Sequence, residues 1–362
     1  MFFSYIFVIK PKKMSDIFEQ LFDFDDILIE PSILSPIKSR SEINTRTIWG
    51  NLPLMTAPMD TVINQDNFHL FKNKGIIPIL PRIPNPQSDW VDYNNFLSYS
   101  LTDFQRLFLR EKVYVPISER IRVLIDIANG HMTDLYESVK KAKIMYGDEI
   151  YLMVGNVANP KTFREYCDVG VDLVRIGIGN GNGCLTTVQT GVGYPMASLI
   201  EECYAIKKYN NYKTEIVADG GFKKYSDIIK ALAIGSDYVM LGSILNKCLE
   251  SSGETTRENG EIINQFSEES RQMFHVEIPL YKTFRGMSTK EVQKSWGKGE
   301  LTTSEGVVRR NKVEYTIEGW VKNFEDYLKS AMSYTGKKEL HHFIGGVNYN
   351  MITQNSFRRF DK

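Results

Sequence analysis

The sequence has little that would tie it to nucleic acid, a membrane, a structural metal or an oxidising compartment. Lysine plus arginine and aspartate plus glutamate number 44 each. A net charge of zero gives no electrostatic reason to expect a polyanionic partner or an anionic membrane surface. Cysteine is scarce: Cys167, Cys184, Cys203 and Cys248 are scattered with no CxxC spacing. That argues against a zinc knuckle or a disulfide scaffold and fits a reducing, cytoplasmic setting. The five histidines make no metal-ligand spacing, and none pairs obviously with a cysteine as a general base. No apolar run approaches the ~20 residues of a membrane-spanning helix. The start, MFFSYIFVIKPKK, has no basic residue before its apolar run and no small-residue cleavage site, so residues 1–20 read as an arm or an extra strand.

Short runs rich in Val, Ile and Leu recur at 52–57, 76–80, 113–117, 122–128, 150–155, 172–178, 215–220 and 237–242. They are near-continuously apolar rather than alternating, as strands buried on both faces are. Most are separated by helix-period segments, among them 131–147, 162–170, 194–210 and 225–235. Strand alternating with helix predicts a mostly parallel α/β sheet. Eight strands, with no GxGxxG after the first, favour a closed (β/α)8 TIM barrel over an open doubly wound sheet. Residues 21–345 read as one catalytic barrel and 346–362 as a tail. Only Ser118–Arg120 separates the third and fourth runs, so one barrel helix is short there. After Gly242 a polar stretch, SGETTRENGEIINQFSEESRQ, reads as a mobile insertion before a final helix at 323–336, with a flap at about 289–318.

In such a barrel the functional residues lie at the C-terminal strand ends. Those ends carry Met59, Arg82, Asp126–Ile127–Ala128, Asn156, the loop Gly177–Thr187, Asp219–Gly220–Gly221 and Gly242–Ser243. Glycines and a hydroxyl after the last two strands are where barrels commonly hold a phosphate. The loop GIGNGNGCLTT leaves backbone amides and carbonyls free for an oxyanion or a monovalent cation, and it places Cys184 at its tip. The other three cysteines fall in or beside helical segments and read as inert core residues. Cys184 reads as a nucleophile toward an electrophilic ring carbon.

The order APMDTV (57–62), DIANGH (126–131), VGNV (154–157), GIGNGNGCLTTVQTGVGYP (177–195), VADGG (217–221), VMLGS (239–243) and FRGMS (284–288) resembles the IMP dehydrogenase and GMP reductase family. The resemblance runs from about Phe24 to about Gly336. It implies a barrel that assembles as a homotetramer, binds a purine mononucleotide, and uses its cysteine to form an adduct at purine C2 while a nicotinamide cofactor exchanges hydride there. By position it implies Cys184, Thr186 and Glu305 as catalytic. It implies nucleotide contacts at Met59, Asp219, Gly220, Gly221, Gly242 and Ser243. On the base side and around the glutamate it adds Gly286, Met287, Ser288, Ser304 and Gly306. The cofactor side is Ser39, Arg40, Arg82, Asp126, Ile127, Ala128, Asn156, Ile178 and Gly179. Ser330 and Ser333 match a stretch that reaches the cofactor across a subunit boundary. Carbonyls of Gly179 and Gly181 match a potassium site.

Within the family the chain is most similar to the reductases. Dehydrogenases resemble one another in an Arg-Tyr pair on a long flap, whereas residues 289–304 contain no arginine. Pro81 to Val113 spans only 33 residues, too few for the paired regulatory domains that dehydrogenases often insert. TGVGYP and IKSRS (37–41) also favour a reductase. The implied reaction converts GMP and NADPH to IMP, ammonia and NADP+. The alternatives are a divergent IMP dehydrogenase, or a nucleotide-binding regulator without turnover. The chain departs from the reductase pattern at Leu301–Thr302, at Pro81–Arg82, and in Asn180 and Asn182 of the cysteine loop.

Overall fold

A computed structural model describes residues 20–87, 92–286, 289 and 306–360. Eight parallel strands form one sheet: β2 (Leu54–Thr56), β3 (Ile79–Leu80), β4 (Phe96–Tyr99), β5 (Ile121–Asp126), β6 (Ile150–Val157), β7 (Leu173–Ile176), β8 (Glu215–Asp219) and β9 (Tyr238–Leu241). Each pairs with its neighbours in chain order, and β2 pairs with β9. A parallel bridge between Met55 and Ile77 joins β2 to the segment entering β3, so the sheet closes. This is the (β/α)8 barrel expected from the alternating runs.

The continuous apolar runs divide by strand alternation into two cores. Leu124, Met153, Leu173, Val217 and Met240 point inward and fill the barrel with Met55, Ile79 and Phe96. Their neighbours Val123, Val154, Val174, Ile216 and Val239 point outward and pack under the helices. The helices are set by local chemistry. Asn159 accepts the Lys161 amide at 2.9 Å ahead of Pro160–Asp168, with proline at the first position, where its missing N–H costs nothing. Thr316 caps the long helix Ile317–Tyr334, which begins six residues before the expected 323.

One expectation is corrected. The run Val113–Ile117 is not a strand: Pro116 removes a ladder donor, the Val113 amide donates to the Tyr146 hydroxyl, and Tyr114 and Ile117 face solvent. The strand in that position is Phe96–Tyr99, followed by the helix Leu101–Phe108 capped by Ser100. The stretch after Gly242, expected as a polar insertion, carries regular secondary structure. It forms β10 (Thr255–Arg257), β11 (Ile262–Ile263) and the helix Glu268–His275. With β12 (Leu280–Arg285) and β13 (Val308–Lys312), these strands make an antiparallel sheet. Its small core of Leu249, Ile263, Leu280 and Val313 explains why so polar a sequence holds its shape. The expected flap at 289–318 lies mostly outside the described residues; from Gly306 onward it carries β13 (Val308–Lys312) and the start of the helix Ile317–Tyr334. At the tail, β14 (Tyr349–Met351) pairs antiparallel with β1 (Ile27–Ile29).

Candidate active site

The barrel's upper interior layer is ionic. The inward alternation that carries Leu124, Leu173 and Val217 continues two residues later to Asp126, Arg175 and Asp219. Arg175 is 4% exposed; its guanidinium hydrogen-bonds Asp126 and lies 3.8 Å from an Asp219 oxygen. Arg82, from the end of β3, completes the group with its Nε 3.1 Å from Asp126. Space for Arg175 comes from Gly155 on the adjacent β6, where a Cβ would fall 2.6 Å from the Arg175 Cβ. Burial opposes ionisation of Asp126, but Arg175 and Arg82 outweigh it and hold this carboxyl below its usual range. Asp219 goes the other way. Burial raises it, and Arg175 with the Asn156 amide, which donates at 2.8 Å, offsets only part of that.

Above this layer opens a cavity of about 460 Å³, a size suited to a small organic ligand. Its walls bring together, from the strand ends, Met59, Arg82, Asp126, Ala128, Asn156, Ile178, Gly179, Gly181, Asp219, Gly220, Gly221, Gly242 and Ser243. Cys184 and Thr186 lie on the same wall, with the thiol 3.2 Å from the threonine hydroxyl. Cys184 is half-buried. The other three cysteines are buried, and burial pushes the Cys167 thiol up to about 11 and raises Cys203 and Cys248 as well. Cys184 is therefore the thiol that the fold presents to a ligand.

The antiparallel sheet closes the cavity on the cysteine side. Phe284 and Gly286 line it from the end of β12. The Val307 amide donates to the Gly183 carbonyl at 3.1 Å, and Gly306 bridges Cys184. Gly306 thus runs alongside the Cys184 backbone, and residue 305 is its chain neighbour. Glu305, Met287, Ser288 and Ser304 themselves lie outside the described residues. The Gly181 carbonyl accepts the Cys184 amide at 2.9 Å, tightening the turn at the loop tip.

Some expected positions are not brought to this cavity within one chain. Ile127 contributes backbone hydrogen bonds to Gly155 and Asn156 behind the wall. Ser39 caps the short helix Arg40–Glu42, and the Ser35 hydroxyl donates to the Ser333 carbonyl. Ser39, Arg40, Ser330 and Ser333 do not line the cavity. Two residues that sequence reasoning missed are close by. Arg175 lines the cavity, and its signal was a lone charge inside the apolar run DLVRIGI. Arg309, on β13, donates to the Asn182 side chain of the cysteine loop at 3.0 Å.

A family model described as an IMP dehydrogenase / GMP reductase domain matches residues 117–360. The chain belongs to this family. Among its curated relatives is a GMP reductase of Buchnera aphidicola subsp. Acyrthosiphon pisum (strain Tuc7), 28% identical over 91% of this chain and 94% of its own length. A GMP reductase of Vibrio vulnificus (strain YJ016) is 28% identical over 94% and 97%. GMP reductase 2 of Bos taurus is 28% identical over 92% and 94%. Cys184 lines one cavity with Gly220, Gly221, Gly242 and Ser243. Among the described residues, no helix is long and apolar enough to cross a membrane. No group of His, Cys, Asp and Glu among them could hold a metal ion.

Proposed function

We propose that this chain catalyses the NADPH-dependent reductive deamination of GMP to IMP and ammonia. The observation that carries this reading is the Cys184 thiol, 3.2 Å from Thr186, in a cavity whose far wall is formed by Asp219, Gly221 and Ser243. A mononucleotide laid from those loops to the cysteine would set its phosphate on the glycines, its ribose on Asp219 and its purine at the thiol. The relatives' names point to the same substrate.

Cys184 adds through sulfur to C2, and the C2–N2 bond then breaks. Ammonia is a poor leaving group unless protonated, and Thr186 with Glu305 would relay that proton. A nicotinamide dinucleotide, when bound, supplies the hydride that C2 receives. Loss of the C–S bond returns the thiolate and releases IMP. Sulfur suits both ends of this cycle, because a thiolate is a soft nucleophile and a competent leaving group. The cavity wall of Arg82, Asp126, Ala128 and Asn156 fits the cofactor: Asp126, held ionised, can accept from ribose hydroxyls, and Arg82 can donate. In a homotetramer, Ser39, Arg40, Ser330 and Ser333 would complete that site from the subunit boundary. The Gly179 and Gly181 carbonyls would hold a potassium ion.

Cys184→Ala should abolish GMP-dependent NADPH oxidation. Thr186→Val should slow it by about 100-fold, in the range of general-acid contributions. Turnover by Cys184→Ala above a few per cent of wild type would reject the covalent route.

A further inference from the structure

We infer that Arg309 binds the phosphate of the nucleotide, delivered to the pocket by β13 rather than by a strand-end loop. The inference deepens the mononucleotide reading above and rests on it.

Register places the side chain. Arg309 pairs with Phe284 across β12 and β13, so the two side chains leave the same face of the sheet. Phe284 lines the cavity, and Arg309 reaches the same region, donating to Asn182 at 3.0 Å. Arg310, one residue on, faces the other way. Its guanidinium lies 4.2 Å from the Tyr281 ring centroid and 3.0 Å from the Thr256 hydroxyl. Strand alternation therefore sends one of two adjacent arginines to the face of the sheet that Phe284 shares, at the pocket's edge, and the other to the back.

The contact at Asn182 lies at the end of the pocket where a phosphate fits. Gly220 and Gly221 pack directly under the cysteine loop. A Cβ on Gly220 would fall 2.8 Å from the Gly181 nitrogen, and one on Gly221 would fall 3.5 Å from Asn180. Asn182 follows immediately, so it stands between the glycine loop and the Arg309 guanidinium.

Charge balance argues the same way. The positively charged residues that line the cavity, Arg82 and Arg175, are engaged with Asp126 and Asp219. They neutralise those carboxylates and leave no net charge for a dianionic ligand. Arg309 forms no ion pair among the described residues; its bond to a neutral amide oxygen keeps the full charge and most of its five donors available. A guanidinium so placed matches phosphate geometry better than an ammonium does.

The test is calorimetric titration of wild type, Arg309→Ala and Arg309→Lys with GMP and, separately, with guanosine. Arg309→Ala should weaken GMP by about tenfold or more, the scale of a lost charge-assisted contact. It should leave guanosine binding unchanged, and Arg309→Lys should recover part of the loss. Arg309 is exposed on its strand, so these variants should match the wild-type unfolding midpoint. Equal weakening of both ligands would overturn the inference. So would loss of turnover with GMP affinity intact, which would make Arg309 only a clamp on the cysteine loop. Wild type that binds GMP tightly while Arg309→Ala binds it equally well would reject Arg309 and spare the mononucleotide reading. Wild type that binds neither compound would remove both.

Discussion

Arg175 stands between two carboxylates of opposite tendency, Asp126 held low and Asp219 pushed up. Removing the guanidinium would leave both buried and without their main counter-charge. Replacing one partner of a buried ion pair commonly costs about 3–5 kcal/mol, so Arg175→Met should lower the unfolding midpoint by roughly 5 °C in a chain of this size. Arg175→Lys should recover only part of that, because one ammonium cannot face both acids. Calorimetric scans check this, and an unchanged midpoint for Arg175→Met would reject the clamp. Cys184 was legible from its sequence alone, since a cysteine between glycines and threonines sits on no apolar face. Arg175 and Arg309 were not. A doubly buried run gives no sign of which residues face inward, and that is fixed only when the sheet closes. Arg309 depends on a register with Phe284 that no local pattern encodes.

At the scale of elements, strand alternation stacks the barrel interior in layers. The ionic layer at the top has a counterpart below the apolar one. Counting two residues back from Met153, Val217 and Met240 gives Tyr151, Glu215 and Tyr238, and the Tyr151 hydroxyl donates to Glu215 at 2.8 Å. Burial, with Asp237 nearby, pushes the Glu215 carboxyl up to about 7. Its folded-state value thus exceeds the ordinary 4.5. Its contribution is fully present below the ordinary value and is lost as pH rises through about 7. Glu215→Gln stays neutral throughout, so its unfolding midpoint should gain on wild type from pH 5 to about pH 7 and level off above that. A difference independent of pH would contradict the assignment. Helices and most strands were legible because apolar periodicity is strong in them. FLSY (96–99) escaped because it is short and half polar, whereas VYVPI (113–117) is apolar but exposed. The polar stretch after Gly242 misled for the opposite reason: its sheet needs only four core residues.

At the scale of the molecule, a closed barrel sets Cys184, Thr186, Asp219 and Ser243 around one cavity, and the antiparallel sheet lines it further through Phe284 and Gly286. The strand-end residues could be read in order from the sequence because the (β/α)8 topology gathers them at one rim. The second wall could not, since its strands looked like a mobile segment. The direct measurement is absorbance at 340 nm with the purified protein, comparing GMP plus NADPH with IMP plus NAD+. The account predicts loss of absorbance that requires both GMP and NADPH, and no NADH formed from IMP and NAD+. NADH formation from IMP, with no GMP-dependent oxidation of NADPH, would contradict it.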